Sequence, residues 1–238
     1  ERTSSNLIMT ALANAKTGTA ALEATNRHVF RTAQADRLLL DDLNKLFTKI
    51  KRVNASWDGG TPTGARKGLT DLLVSPEVVE KIRAMAYQPI NTLAPNGAAV
   101  GATSQPVTLV DPEREKIFGQ AGMTEFYGIS IMEILELGVG KRFNDVFDTV
   151  AGTTDYLNHG STTASSAFAG ATEEIIVGLD RTRDAMVRAI AVDSESGSEF
   201  NLVADDQFSN RQQRIGYYGS LEEGRMVLDD RALVGLIM

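Results

Sequence analysis

The groups in this sequence best suited to chemistry are two histidines, five adjacent acid pairs and one glycine-rich turn. His28 and His159 are the side chains whose ordinary pKa lies nearest neutrality. Neither has a carboxylate or a second histidine at metal-ligand spacing, so neither reads as part of a zinc site. The acid pairs are Asp41-Asp42, Glu173-Glu174, Asp205-Asp206, Glu222-Glu223 and Asp229-Asp230. General acid–base catalysis needs two carboxylates that face one substrate from different environments. Neighbours along a helix or strand point in different directions, so these pairs read as solvated faces. Carboxylates remote in sequence could still meet in a cleft. Leu137-Gly138-Val139-Gly140-Lys141 has the outline of a phosphate loop. It lacks the G-x-x-x-x-G-K-[ST] spacing, and Arg142 stands where Ser or Thr would hold magnesium, so it reads as a turn. The sequence contains no GxSxG elbow and no cysteine, which removes thiolate nucleophiles, thiolate metal sites and disulfides. No catalytic, cofactor-binding or metal-ligating residue is assigned, and no cofactor is expected.

The chain as a whole narrows the function further. Its 238 residues are 42% hydrophobic, enough for a sizeable core in one large domain or two small ones. The net charge of −7 argues against a dedicated nucleic-acid binder. Arg181, Arg183 and Arg188 sit beside Asp180, Asp184 and Asp193, a mixture suited to setting register in protein–protein contacts. No apolar run approaches the roughly 20 residues of a membrane span. The opening ERTSSNLIMT carries neither an initiator Met nor a signal-peptide pattern.

The element that must organise the rest is the stretch Thr25 to Val53, which reads as one long helix. Val29, Ala33, Leu40, Leu43, Phe47 and Ile50 form an apolar stripe, widened by Leu39, Leu46 and Val53. Arg31, Gln34, Arg37, Asp41, Lys45, Thr48 and Arg52 take the other face. Asp41 precedes Lys45 by one turn, the favourable order. Lys45, Lys49, Lys51 and Arg52 collect at the end that the helix dipole favours for cations. At about 1.5 Å per residue this helix would be about 40 Å long and would need something packed along it.

Before it, Asn6 to Ala21 predicts a short helix and a turn at Gly18. After it, Gly59, Gly60, Pro62 and Gly64 break the chain, with Trp57 as a hydrophobic anchor under the loop. Leu69 to Val74 predicts a buried strand. Ser75 as N-cap and Pro76 at the first helical position then predict a helix to about Ala86. Tyr87 to Gln120 reads as a long loop, uncharged until Asp111, either one that a neighbouring subunit covers or a plain mobile loop. Phe126 to Ile131 predicts a strand bent at Gly128. Arg142 to Val150 predicts a short amphipathic helix, and Asp155 to Gly170 a polar loop. Glu173 to Leu179 predicts a strand ending at Asp180. Ala185 to Val192, Phe200 to Ala204, Arg211 to Tyr218 and Arg225 to Leu228 predict short strands, and the apolar end LVGLIM a strand inserted into a sheet.

Taken in order, these pieces resemble the major capsid proteins of tailed phages, whose fold was first described for phage Hong Kong ninety-seven. The resemblance rests on the spine helix, on DLLVSPEVVEKIRAM, on FYGISI and IIVGLD, and on the closing DDQFSNRQQRIGYYGSLEEGRMVLDDRALVGLIM. Each motif is weak alone; their order and spacing carry the likeness, from about Thr25 to Met238. It implies an α+β fold with a peripheral domain over 1–68 and 186–224 and an axial domain over 69–185 and 225–238. The family's N-terminal arm and extended hairpin loop normally precede the spine; with only about two dozen residues before Thr25, both are expected to be missing from this sequence, which leaves open a shortened chain or a looser likeness.

The implied function is structural. The subunit would assemble with itself, as hexamers and pentamers, into an icosahedral shell around double-stranded DNA. It would form in the host cytoplasm and reside in the virion. Scaffold, portal or decoration proteins are candidate partners; DNA lies nearby without sequence-specific contacts, and no membrane is involved. Two alternatives stay open. One is an encapsulin-type compartment shell. The other is an enzyme whose scattered carboxylates surround the Gly138 to Lys141 turn.

Overall fold

A computed structural model describes residues 2–16, 27–33, 37–53, 57–58, 61–62, 68–87, 125–126, 128–161, 164–183, 185–192, 199–205 and 216–238. The chain forms two compact units, one of Glu1–Ala185 with Asp229–Met238 and one of Met186–Leu228.

The first unit is built on helix α1 (Arg2–Asn14), strand β1 (Val29–Arg31) and helix α2 (Leu40–Val53). Two-residue strands β2 (Trp57–Asp58) and β3 (Thr61–Pro62) pair with each other. Strand β4 (Asp71–Val74) leads into helix α3 (Pro76–Tyr87). Strands β5 (Glu125–Phe126) and β6 (Ile129–Glu133) precede helix α4 (Arg142–Ala151). Strands β7 (Asp155–Leu157), β8 (Ala164–Ala167) and β9 (Ile175–Leu179) follow, and the unit closes with β14 (Leu233–Ile237). Its main sheet has the order β1-β14-β9-β4-β6-β5. β1 runs parallel to β14 and β4 parallel to β6; the β14–β9, β9–β4 and β5–β6 pairs are antiparallel.

Strands β4, β9 and β14 are buried along their whole length, which explains why they read as continuous apolar runs. On one face Leu72, Val74, Ile176, Val234 and Leu236 pack with Leu43, Leu46 and Ile50 of α2 and Val78, Val79 and Ile82 of α3. On the other face α1 lies against β14, with Leu12 over Gly235, and packs on α4. Gly178, near the end of β9, leaves room for the side chains of Leu69 and Val234. A Cβ there would stand 2.5 Å from Leu69 Cδ1 and 2.9 Å from Val234 Cγ2. The apolar C-terminal run is thus a strand inserted between β1 and β9, as its composition predicts, and it supplies cover for the α2 stripe.

Thr25 to Val53 is not one helix. Its second half is α2, with Leu43, Leu46, Ile50 and Val53 buried as the stripe requires. Its first half contains β1. There the amide of Thr32 donates to Ile237 O at 2.8 Å, and that of Gly235 donates to His28 O at 3.2 Å. The partner strand lies about two hundred residues away in sequence, so helical periodicity could not reveal it. Val29 and Phe30 are both buried because they fall on opposite faces of the sheet.

Other local expectations hold. Ser75 Oγ accepts from the Val78 amide at 3.2 Å, capping α3. FYGISI forms a hairpin rather than a bent strand, with Gly128 at φ 76° in its turn and Glu125 opposite Ser130. Asp155 to Gly170 is not all loop, since it contains the β7–β8 pair, in which Asp155 faces Ala167. Small residues without strand preference, such as Ala164, Ser165 and Ser166, hid that hairpin. Gly18 and nearly all of the Tyr87 to Gln120 segment lie outside the described residues.

The second unit consists of two antiparallel ribbons. Strand β10 (Met186–Ile190) pairs with β13 (Glu223–Val227), and β11 (Asn201–Asp205) pairs with β12 (Gly216–Ser220). Of the expected strand over Arg211 to Tyr218, residues 216–218 belong to β12, and residues 211–215 lie outside the described residues. Met186, Val187, Met226 and Leu228 are all exposed. Arg188 pairs with Glu223 at 2.6 Å across the β10–β13 ribbon.

Candidate functional site

Two of the acid pairs read as solvated from sequence each contain a buried member. Asp42 is fully buried in the first turn of α2. Its Oδ2 accepts from the Leu39 amide and its Oδ1 from the Ala33 amide, each at 3.0 Å. Leu39 precedes the first helical residue, so Asp42 reaches back across the first turn like the acidic member of a capping box. Oδ1 also lies 2.9 Å from His159 Nδ1. His159 Nε2 stands 3.4 Å from Oδ2 of the exposed Asp41. The His159 amide donates to Arg31 O at 2.8 Å, and its ring meets Phe30 edge-on at 6.4 Å. With a carboxylate at each ring nitrogen, this imidazole is a brace that ties the β7–β8 turn to α2.

Glu174, the other buried acid, stands next to the Gly138 to Lys141 turn. Its Oε1 accepts from the Val139 amide at 3.2 Å and its Oε2 from Ser75 Oγ at 2.8 Å. The Glu174 backbone exchanges both hydrogen bonds with Met238. Glu174 therefore links the turn and the start of α3 through its carboxylate, and the C-terminal residue Met238 through its backbone. The Gly140 amide donates to Gly170 O and the Lys141 amide to Gly138 O, both at 3.0 Å. These amides serve the protein and do not converge on a phosphate. Glu77 and Glu80 line an open cleft of about 370 Å³ beside Glu174. No cluster of three or more His, Asp or Glu able to hold a metal occurs among the described residues.

Arg31, read as part of a solvated helix face, is half-buried. It forms a bidentate pair with Glu173 at 2.6 and 2.8 Å and donates to Ala167 O at 2.6 Å. The pair fastens β1 to the segment before β9, and the bond to Ala167 O fastens it to the end of β8. Arg181 pairs with Asp71 at 3.3 Å, not with the adjacent Asp180.

A second open cleft, of about 330 Å³, lies over the start of β1 and the middle of α2. Arg27, Lys45, Lys49 and His159 line it with Asn158 and Ser161. The Arg27 guanidinium donates to Ala13 O at 2.9 Å and lies 5.9 Å from the centroid of the Tyr156 ring. Burial holds the Lys49 pKa below the ordinary lysine value, and the neighbouring Lys45 charge lowers it further. Burial pushes the Tyr156 hydroxyl up to about 12.

His28 is buried where β1 begins, not in a helix. Its Nδ1 lies 3.1 Å from Asp230 O and 3.2 Å from Leu233 O, so Nδ1 carries the proton and donates to these carbonyls. Desolvation lowers its pKa, against a smaller opposing pull from Asp230. The unfolded chain therefore takes up a proton at about pH 6.5, where the folded chain does not. Stability from this residue is complete above that pH and is lost as pH falls toward the depressed folded-state value. Thermal melts from pH 7.5 to pH 5 should show the wild type losing stability faster than His28→Gln. The steepest loss expected from one histidine is about 1.4 kcal/mol per pH unit. Parallel curves for the two proteins would show that His28 is not the group responsible.

Asp42 could have been found in the sequence, because an acid three residues after a helix boundary is a capping signal. Glu174 and the Arg31–Glu173 pair had no local signal, since their partners are remote in sequence.

No family model and no curated protein matches this chain. Several solved structures do. The holo-SrpI encapsulin complex from Synechococcus elongatus PCC 7942 is similar over 88% of this chain and 52% of its own, at 14% identity and a TM-score of 0.43. The capsid of cyanophage P-SCSP1u is similar over 99% of this chain and 60% of its own, at 12% identity and a TM-score of 0.45. A chain of Gordonia phage Cozz is similar over 97% of this chain and 58% of its own, at 15% identity and a TM-score of 0.31. The present chain thus spans between 52% and 60% of the length of these three. Identities and TM-scores are low, and any functional reading rests on the chain's own elements.

Proposed function

We propose that this chain is a structural shell subunit, one that assembles with copies of itself into the icosahedral capsid of a tailed phage. The observation that carries the reading is the order of its elements. A one-sided helix on a mixed sheet is followed by the strand–Ser-Pro–helix, the Tyr-Gly hairpin and the strand IIVGLD. After a separate pair of ribbons comes the inserted C-terminal strand. This is the succession that the capsid resemblance implies. Two further features support it. The histidines and the buried acids are engaged in cross-bracing the fold. Exposed apolar side chains, among them Leu135, Phe200, Leu221, Met226 and Leu228, offer surface for neighbouring copies to cover.

In this reading the peripheral domain takes 1–68 and 186–224 and the axial domain 69–185 and 225–238, distinguished by which neighbours each meets in hexamers and pentamers. Strands β1, β14 and β9 join segments from both in one sheet. Double-stranded DNA would be the contents, with scaffold, portal or decoration proteins as further partners. Contents also separate this reading from a compartment shell. Particles purified after expression of the full chain in a phage-infected host should protect DNA from nuclease. Particles filled with an enzyme and free of DNA would point to the encapsulin-type shell instead.

A further inference from the structure

We propose that the exposed loop from Met132 to Arg142 is a self-complementary contact surface, through which two copies of this chain meet about a two-fold axis. Leu135 in this loop is 72% exposed, and Met132 and Val139 are exposed as well. Apolar side chains gathered on one surface loop mark a place where something docks. The shape of the loop is fixed before any partner arrives. The Leu137 amide donates to Ile134 O at 3.2 Å and the Phe143 amide to Glu136 O at 3.1 Å. The Val139 amide is held by Glu174 Oε1, and the Leu137 side chain is buried. A surface already ordered loses little conformational freedom on binding.

Charge identifies the occupant. Exposed Glu133 and Glu136 stand on one side of Val139 in sequence, and exposed Lys141 and Arg142 on the other. Among the described residues, the side chains of Glu133, Glu136 and Lys141 have no hydrogen-bond or ion-pair partner. Arg142 reaches Asn6 Oδ1 at 3.4 Å, a contact between exposed groups. Two acids followed by two bases are matched by the same set turned round. A two-fold axis near Leu135 and Val139 sets the acids of one copy against the bases of the other and covers the apolar side chains between them. A partner of single charge, such as a nucleic-acid strand, would leave half of the loop facing its own sign. The inference rests on the shell reading in taking a second copy as the occupant, and deepens it by naming the surface.

A contact built on one short loop is weak beside a standard interface of about 800 Å² per partner, so it is best read by trapping. The sequence has no cysteine, so a single introduced thiol reports on its own neighbours. Leu135→Cys and Val139→Cys are made separately in the full chain and oxidised mildly at high protein concentration. Disulfide-linked dimers are expected from one or both, about tenfold faster than from Val150→Cys, because the bond needs Cα atoms about 4.4–6.8 Å apart. Val150 is exposed on α4, outside the loop. Glu136→Lys and Lys141→Glu should each weaken self-association about tenfold in sedimentation, since like charges then meet. An equal mixture of these two variants should recover it, because each then meets its opposite. Melting temperatures should stay at the wild-type value, since both positions are exposed. Crosslinking no faster than from Val150→Cys at both positions, charge reversals without effect, or no recovery in the mixture would overturn the proposal. Wild-type shells seen by microscopy while both loop thiols stay unlinked would remove this contact and leave the shell reading standing. Linked dimers from a chain that forms no shell would do the reverse.

Discussion

Leu43→Asp is expected to leave no soluble folded protein. Leu43 is fully buried and sits in the cluster formed by Leu46, Ile50, Leu72, Val234 and Leu236. Removing a buried leucine costs about 2–5 kcal/mol. Placing an unpaired carboxylate among those side chains adds several more, unless it takes up a proton. Against a typical domain stability of about 5–15 kcal/mol, the sum is enough to unfold the chain. Soluble yield and circular dichroism would read the effect. The same change at Arg52, exposed on α2, should be tolerated. A soluble Leu43→Asp protein with an unchanged unfolding midpoint would mean that α2 does not pack on the sheet as described.

Asp42→Ala should be the most damaging polar substitution in the first unit. It removes the acceptor for the Ala33 and Leu39 amides and for the His159 ring together. Breaking a buried charged network of this kind costs about 3–5 kcal/mol, because the partners left behind are uncompensated. Asp41→Ala, next to it but exposed, should cost no more than about 0.5 kcal/mol. Denaturant midpoints distinguish the two. A cycle with His159→Ala should show coupling of about 1–3 kcal/mol with Asp42 and close to none with Asp41. Equal effects at positions 41 and 42 would refute the burial assigned here.

What could be foreseen from the sequence depended on whether the interaction was local. The Ser75 cap, the helix after Pro76, the turn at Gly138 and the α4 stripe are all written within a few residues, and all are present. Strand IIVGLD and the C-terminal strand were visible because full burial demands unbroken apolar runs. The first half of the supposed spine misled for the same reason. Val29 and Ala33 match a helical period over so short a span, and the true partner of β1 is β14 at the far end of the chain. Buried Asp42 and Glu174 looked like surface acids because the amides and hydroxyls that satisfy them come from other segments. The charged cleft was also beyond reach: Arg27, Lys45 and His159 are brought together only by the packing of β1, α2 and the β7–β8 turn.

Electron microscopy of the purified full chain tests the central claim most directly. Closed shells, or five- and six-membered capsomer rings on the way to them, are the predicted result. The exposed apolar residues of the ribbons, such as Met226 and Leu228, should then be covered at contacts between copies. A compact monomer that persists across protein concentration, salt and pH, with no rings or shells in any field, would contradict the account.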